Sequence, residues 1–490
     1  MTTRRFLLFW VILLFSINAQ AKYLSPYDFG LAAAKDGVET YRVLLKTHEA
    51  AVAQGCNVTY KGIEYLELDI PADAKSIPLP QKVDFHGVRL IVRNTSKTIY
   101  LFSLTQENTT IGIDKWRLSK NNYSNIKELN KGYSLLIIED KNPWVEKREG
   151  YNYGATRKDI VLVRDGWGEN DVVFTYNNYS SDPQVSYCKV SSHKKRYSNL
   201  IFERTNDSNR RTELFLFQNQ YNVLLKNIVV KTPKSELYGD GAITIRNCAK
   251  IYLYDVAIDG TYSAKNKYGY GISMDNVWNS MFVRLKGKCE WGLFGNYNVN
   301  YAVLKECDIN RFDIHCYGRD VYCYNSTFSN FYNQFSSFYG ELVFKNCHFI
   351  NYIPVLFEPS FYAYTPFNLT IKNCVLDADK RYPYLINAGS PADKHIVTRE
   401  ELKQVSWPNL TIDGLVVNLP EGQDDWVIFG VNGTDIPEIE NLTSINIKGL
   451  LVNGYQKDDI PLSNKSIKTK EPLKINVKGS SIKGVRIKSQ

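Results

Sequence analysis

From residue 223 onward one short pattern keeps returning, and it limits the fold more than any other feature of the chain. It runs VLLKNIVV at 223–230, IYLYDVAI at 251–258, AVLKECDI at 302–309, VYCYNSTF at 321–328, LVFKNCHF at 342–349 and LTIKNCVL at 369–376. Weaker continuations are LTIDGLVV at 410–417 and INIKGLLV at 445–452. Each copy has a run of β-formers, a polar residue, a small or apolar residue, then more β-formers. The best-ordered copies are 19, 21 and 27 residues apart. A repeat of that length, with two or three short strands in each copy, predicts a parallel β-helix whose coils stack about 4.8 Å apart.

Stacking puts equivalent residues in columns. The polar column holds Asn227, Asp255, Glu306, Asn325, Asn346 and Asn373, and the next holds Ile228, Val256, Cys307, Ser326, Cys347 and Cys374. An Asn column at a bend can hydrogen-bond along the stack, while the column after it points inward. Cys acts there as a small hydrophobe. The chain has nine Cys with no Cys-x-x-Cys pair, and its six His are not spaced for zinc. Structural thiols therefore fit better than disulfides or metal ligands. With 44% hydrophobic residues over 490 positions, disorder is excluded for most of the length, and one elongated repeat domain is accommodated.

The N-terminus is an address. Arg4 and Arg5 precede a 12-residue apolar run at 6–17, followed by Ala19-Gln20-Ala21. This is the form of a secretory signal peptide cut after Ala21, and the run is too short to span a bilayer. No later segment is apolar enough to span one. The expected location is secreted or periplasmic. Loss of the signal lowers the formal charge from +9 to +7, and residues 457–490 supply +6 of that through nine Lys or Arg against three Asp or Glu. A basic exported chain attracts acidic polymers, or the tail is simply solvated. Export and the absence of any nucleic-acid-binding pattern argue against nucleic acid.

These repeats resemble the pectate-lyase-like superfamily of right-handed parallel β-helix proteins. The N-terminal segment adds to the resemblance: Tyr27-Asp28-Phe29-Gly30, then Asp36-Gly37, then a helical stretch from about Glu39 to Ala53 ending at Gly55. In that superfamily such a helix closes the open end of the solenoid and protects its sheet edge. Ile77-Pro78-Leu79 falls where the first coil often begins. The expected fold is all-β, a single-stranded right-handed parallel β-helix with an N-terminal capping helix. The expected organisation is a signal peptide at 1–21, a cap at 22–60, early irregular coils and loops at 61–222, regular coils at 223–454 and a basic segment at 455–490.

The resemblance implies a substrate groove on the strands that begin each coil, among them GISMDN (271–276), GLFGNY (292–297) and DIHCYG (313–318). Alternation with Ile314, Phe357 and Ile386 inward turns Asp313, His315 and Tyr317 outward on one coil. Ser337 and Tyr339 follow on the next coil, then Glu358, then Asn387. His315, Tyr317, Tyr339 and Glu358 are the catalytic candidates, since His works as acid or base near neutral pH and Tyr can donate a proton to a departing oxygen. Asp313, Asn387, Arg246 and Arg319 are candidates for binding substrate, the last three by neutralising a uronate carboxylate. Upstream, Lys147, Arg148, Arg157 and Lys158 are interleaved with Trp144, Tyr151 and Tyr153, a composition suited to acidic sugars or to a solvated loop. Arg157 and Lys158 join the binding candidates.

The superfamily's hydrolase motifs do not carry over. His86-Gly87 comes too early, and Arg486-Ile487-Lys488 sits at the extreme C-terminus. Gly239-Asp240-Gly241 with Asp275 resembles a fragment of a calcium site that needs several more donors, so calcium stays an open cofactor. The leading expectation is a monomeric polysaccharide lyase acting by β-elimination on an acidic polysaccharide, a glycosaminoglycan or a pectin-like polymer. A glycoside hydrolase using Asp313 and Glu358, two coils or about 10 Å apart, is the enzymatic rival. A non-catalytic glycan-binding adhesin is the third reading, because fold does not imply catalysis. The export signal argues against a phage tailspike.

Overall fold

The repeat closes into a right-handed parallel β-helix in which each coil hydrogen-bonds to its neighbours. The computed structural model describes residues 22–113, 118, 120–139, 147–148, 156, 158–170, 183–205, 212–232, 241–259, 270–289, 292–316, 318–329, 333–335, 338–350, 355–356, 367–388, 395–396, 405–431 and 438–487. Each full coil has three faces. Face one stacks Ile99–Thr105 on Thr212–Gln218, then on residues 243–246, 272–275, 294–297 and 314–316. Face two runs from residues 196–198 through 223–226, 251–254 and onward to Lys474–Lys478. Face three follows directly on face two, as in residues 228–231 and 256–259. No helix among the described residues is long and apolar enough to cross a membrane, and residues 1–21, with the expected signal peptide, lie outside them.

The polar column of the sequence is the corner between faces two and three. Asn227, Asp255, Glu306, Asn325, Asn346 and Asn373 all have φ between 49° and 57°, and Gly414 and Gly449 take the same corner further on. Left-handed backbone is least costly for Gly and for Asn or Asp, whose short side chains bond locally. The column is laced together: Asn227 donates to Asn199 at 2.9 Å, Asn346 donates to Asn325 at 2.9 Å, and Arg284 forks onto Asp255 at 2.6 and 2.9 Å. Arg284 is itself at a corner with φ 53°, a position the repeat pattern did not flag. The following column is buried from Ile228 to Cys374. There Cys307 Sγ donates to the carbonyls of Phe282 and Lys305 at 3.5 Å, and Ser326 Oγ donates to that of Tyr324 at 2.8 Å. Eight of the nine Cys are described as buried free thiols, so a small weak donor fills this corner.

A second corner column, between faces one and two, was not apparent from the sequence. Asn219, Asn247, Asn276 and Asn298 have φ of 50–57°, and Asn222, Lys250, Asn279 and Tyr301, three residues later, turn the chain again. Asn276 donates to Asn247 at 2.9 Å, repeating the inter-coil lacing on this edge.

The cap is the helix Gly37–Gln54. Asp36 accepts the Glu39 amide at its start and Gly55 ends it in the left-handed region. Its inner face buries Tyr41, Leu44, Thr47, His48 and Ala51. His48 is bonded to Tyr60 Oη and the Pro78 carbonyl, both at 3.0 Å, and packs on Phe102. Burial lowers its pKa to about 4, so it sits neutral at the end of the aromatic core. Segment 61–222, expected as irregular coils, contains something different. Between the coils at Ile99–Thr105 and Lys195–Arg204 the chain leaves the solenoid and builds an antiparallel sheet in the order Trp167–Gly168, Lys158–Arg164, Tyr133–Glu139, Gln184–Val190, Thr109–Thr110. One face of this insert packs Leu135, Ile160, Leu162 and Cys188 against Tyr221, Ala249 and Trp278 of the solenoid.

The corner account predicts that Asn346→Ala, which loses the bond to Asn325 and forces Ala into left-handed backbone, destabilises by about 1–2 kcal/mol. Asn346→Gly should cost less. Urea denaturation of the two variants checks this, and an Ala variant as stable as the Gly variant would contradict it.

Candidate functional site

On the outer side of face one, alternation places one residue per coil in a column. Gln218 pairs with Arg246, Arg246 with Asp275, and Asp275 with Tyr297. His315 continues it, its ring stacked on Tyr297 at 5.1 Å and 22°. Ile314 points into the core, as expected from the alternation.

Tyr270 crosses onto this column from the start of the strand Tyr270–Val283. Its ring lies over Gly295, where a Cβ would collide with it. Gly inside a strand often marks such a close approach. The Tyr270 hydroxyl meets His315 Nε2 at 2.8 Å and donates to Asp313 Oδ2 at 3.3 Å, with the two rings edge to face. Asp313 is fully buried, ion-paired with the equally buried Arg311, and accepts the Gln334 amide at 3.0 Å. Arg311 also donates to Gln334 Oε1 at 2.8 Å. Burial pushes the Asp313 carboxyl up to about 6, against the pull of the Arg311 guanidinium. His315 keeps 12% of its side chain exposed. The result is an imidazole and a phenol at the surface, sharing a hydrogen bond, with a carboxylate and a guanidinium behind them. Such a pair can give up or take up a proton at a bound substrate.

The insert contributes to the same column. Lys158 Nζ reaches Asp275 Oδ2 at 2.8 Å and Glu139 at 3.9 Å, while its backbone amide donates to Asn298 Oδ1 at 3.2 Å. Asn298 in turn donates to Asp275 at 3.3 Å. Burial works against the Lys158 ammonium, but Asp275 and Glu139 hold its pKa above the usual lysine value. This ion pair pins the insert beside the exposed Arg246, whose charge Lys158 feels. Asp275 thus spends both oxygens on protein donors. Asp240 lies outside the described residues, among which no group of three or more His, Cys, Asp or Glu can hold a metal. Among the described residues no donor set fits calcium.

The other candidates fall in different places. Asp313, expected to face solvent, is fully covered, because Tyr270, Arg311 and Gln334 close over it. Its carboxylate meets Tyr270 and Arg311 instead of solvent. Tyr339 is also buried, at 9%, and pairs across coils with Arg319, which donates to Asp320 at 3.0 Å on the bend after face one. Asn387 lies beside Leu356 and Gly430 in a separate parallel sheet that continues face one further along the axis. Tyr317, Ser337, Glu358 and Arg157 lie outside the described residues. Sequence reasoning missed Tyr270 and Tyr297. The available signal was Gly295, a glycine on an outward strand position next to an aromatic.

No family model matches the sequence, and no curated protein matches it. Solved structures do match in fold. The tailspike of Acinetobacter baumannii bacteriophage AP22, solved in complex with A. baumannii capsular saccharide, aligns with TM-score 0.55 at 12% identity, covering 96% of this chain and 77% of that one. The tailspike gp61 of Pseudomonas phage phi297 aligns with TM-score 0.48 at 12% identity, covering 94% and 80%. The family 28 exopolygalacturonase of Yersinia enterocolitica aligns with TM-score 0.37 at 11% identity, covering 96% and 79%. At such identities the likeness is one of fold. By its coils, its corners and its capping helix, this chain is a right-handed parallel β-helix.

Proposed function

We propose that the protein is an exported polysaccharide lyase that cleaves an acidic, uronate-containing glycan by β-elimination. The observation that carries this reading is the 2.8 Å contact between the Tyr270 hydroxyl and His315 on the outer face of the solenoid. The formal charge of +9 and the signal-like N-terminus support an acidic partner outside the cytoplasm. That the AP22 tailspike, on the same fold, was solved with a capsular saccharide supports a glycan as the ligand class.

In the proposed step one member of the pair takes the proton from C5 of a uronate. The C5–H electron pair becomes the C4=C5 double bond, the C4–O bond breaks, and the departing oxygen receives a proton from the other member. Asp313, held by Arg311, orients the Tyr270 hydroxyl and balances charge that develops on His315. Arg246 is three coils from His315, about 14 Å at 4.8 Å per coil. It therefore suits the carboxylate of a neighbouring sugar, not that of the sugar being cleaved. A hydrolase built on Asp313 and Glu358 is disfavoured by the burial of Asp313, which leaves that carboxyl no path to a glycosidic oxygen.

With a panel of acidic polysaccharides, the wild-type protein should generate the ultraviolet absorbance of unsaturated uronates. Tyr270→Phe and His315→Ala should each lower that rate by roughly 10²-fold or more. Undiminished rates in both variants would remove the pair from the mechanism; new reducing ends without absorbance would mean hydrolysis, and binding without turnover would mean a glycan-binding module. The Asp313 pKa of about 6 also sets a direction with pH. Above that value the carboxylate is charged and accepts the Tyr270 proton; below it, protonation loosens its hold on Arg311 and Tyr270. Activity should therefore fall on the acid side with a midpoint near 6, and Asp313→Asn should give low activity without that limb. A pH profile unchanged in Asp313→Asn would contradict this role.

A further inference from the structure

The last coils carry a second concave site. A cavity of about 840 Å³ is lined by Arg381, Tyr384, Asp425, Lys457, Asn464 and Arg486, among others. It lies on the continuation of face one. Tyr384 pairs with Val427, Phe429 of the same strand bridges to Ser463, and Pro461 pairs with Arg486. The basic C-terminal segment is what builds it: Lys457 and Arg486 both come from residues 455–490, so part of that charge is folded into a wall instead of trailing in solvent.

The side chains are held in place. Tyr384 is buried to 8% exposure, its ring laid over Gly430 where a Cβ would collide, which is the device that seats Tyr270 over Gly295. Arg381 forks onto Asp379 at 3.0 and 2.6 Å and covers the Tyr382 ring. Lys457 donates to the Asp424 carbonyl at 2.9 Å and faces its carboxylate at 3.5 Å. Asp425 is the one acidic group on the wall, against the three cations. Arg381 is forked onto Asp379 and Lys457 faces Asp424, so the exposed Arg486 is the guanidinium suited to a carboxylate or sulfate, with the Tyr and Pro surfaces suited to the apolar face of a sugar ring.

We propose that this cavity is a second glycan-binding site that takes a carboxylated or sulfated sugar unit and holds the polymer away from the Tyr270–His315 pair. Counting coils from His315 through Phe335, Leu356 and Asn387, Tyr384 lies three coils on and Arg486 six, about 14 to 29 Å along the axis at 4.8 Å per coil. A single extended chain lying along face one can reach both sites. The proposal rests on the acidic-glycan reading of the partner but not on the chemistry at the pair.

Binding is measured by calorimetry on the full-length Tyr270→Phe protein, so that the probe is not cleaved. The probes are a galacturonate hexasaccharide and a chondroitin sulfate hexasaccharide, with maltohexaose as the neutral control. The expected result is salt-sensitive binding of at least one acidic probe and none of maltohexaose. Lys457→Gln with Arg486→Gln should then weaken it about tenfold or more, given the worth of charge-assisted hydrogen bonds. Thermal melting of that variant checks that it is folded, and Asn464→Ala serves as a milder second lesion on the same wall. Unchanged affinity in the folded double variant, equal binding of maltohexaose, or no binding of either acidic probe would each overturn the proposal. Lyase activity of the double variant on the wild-type background separates the two sites: its cleavage of short substrates should persist, whereas failure of the pair itself shows in Tyr270→Phe and His315→Ala.

Discussion

Every coil of this molecule bonds to the coil before it and the coil after it, so each corner must be turned at the same place on every round. That registration is the constraint on which the rest depends. It demands left-handed backbone at recurring positions, and Asn, Asp and Gly supply it at the least cost. Asn227, Asn325 and Asn346 meet it with side chains that also bond along the stack, and Gly414 and Gly449 meet it with none. The inward neighbour of the corner has little room and a carbonyl at hand, and Cys307, Cys347 and Cys374 occupy it as weak donors. The unpaired thiols of the described residues are thereby explained by packing, since burial pushes the Cys307 thiol up to about 11 and keeps it protonated.

The same registration makes a site possible. Once coils are locked at fixed spacing, outward residues from distant parts of the sequence become neighbours in a line. Arg246, Asp275, Tyr297 and His315 span 70 positions of sequence and adjacent coils of structure. Departures from the simple column then shape the candidate site. Gly295 removes a side chain and admits the Tyr270 ring, and the antiparallel insert brings Lys158 to Asp275. Buried charge behind the pair is costly to remove unilaterally, which ties the stability of this coil to the orientation of its surface groups.

Much of this was legible in the sequence and some was not, for identifiable reasons. The corner column was visible because its residues share a type and a spacing. Arg284 escaped because an Arg in left-handed backbone has no propensity signature, and only its fork onto Asp255 explains it. Asn219, Asn247, Asn276 and Asn298 escaped because each is followed three residues later by a second turn, so the two signals overlap. The insert escaped because its strands, such as LLII in Tyr133–Glu139, are as β-rich as those of the solenoid. At the site, alternation turns Asp313 and His315 outward, but it cannot report what covers a residue. Asp313 is buried by Tyr270, 43 positions away, and no local pattern carries that fact.

If the Tyr270–His315 pair removes the C5 proton of a uronate, every linkage broken leaves a C4=C5 double bond. Proton nuclear magnetic resonance of the products tests it most directly. An olefinic H4 signal is expected at each new non-reducing end, one for every linkage broken. Saturated ends carrying a hydroxyl at C4 would contradict it.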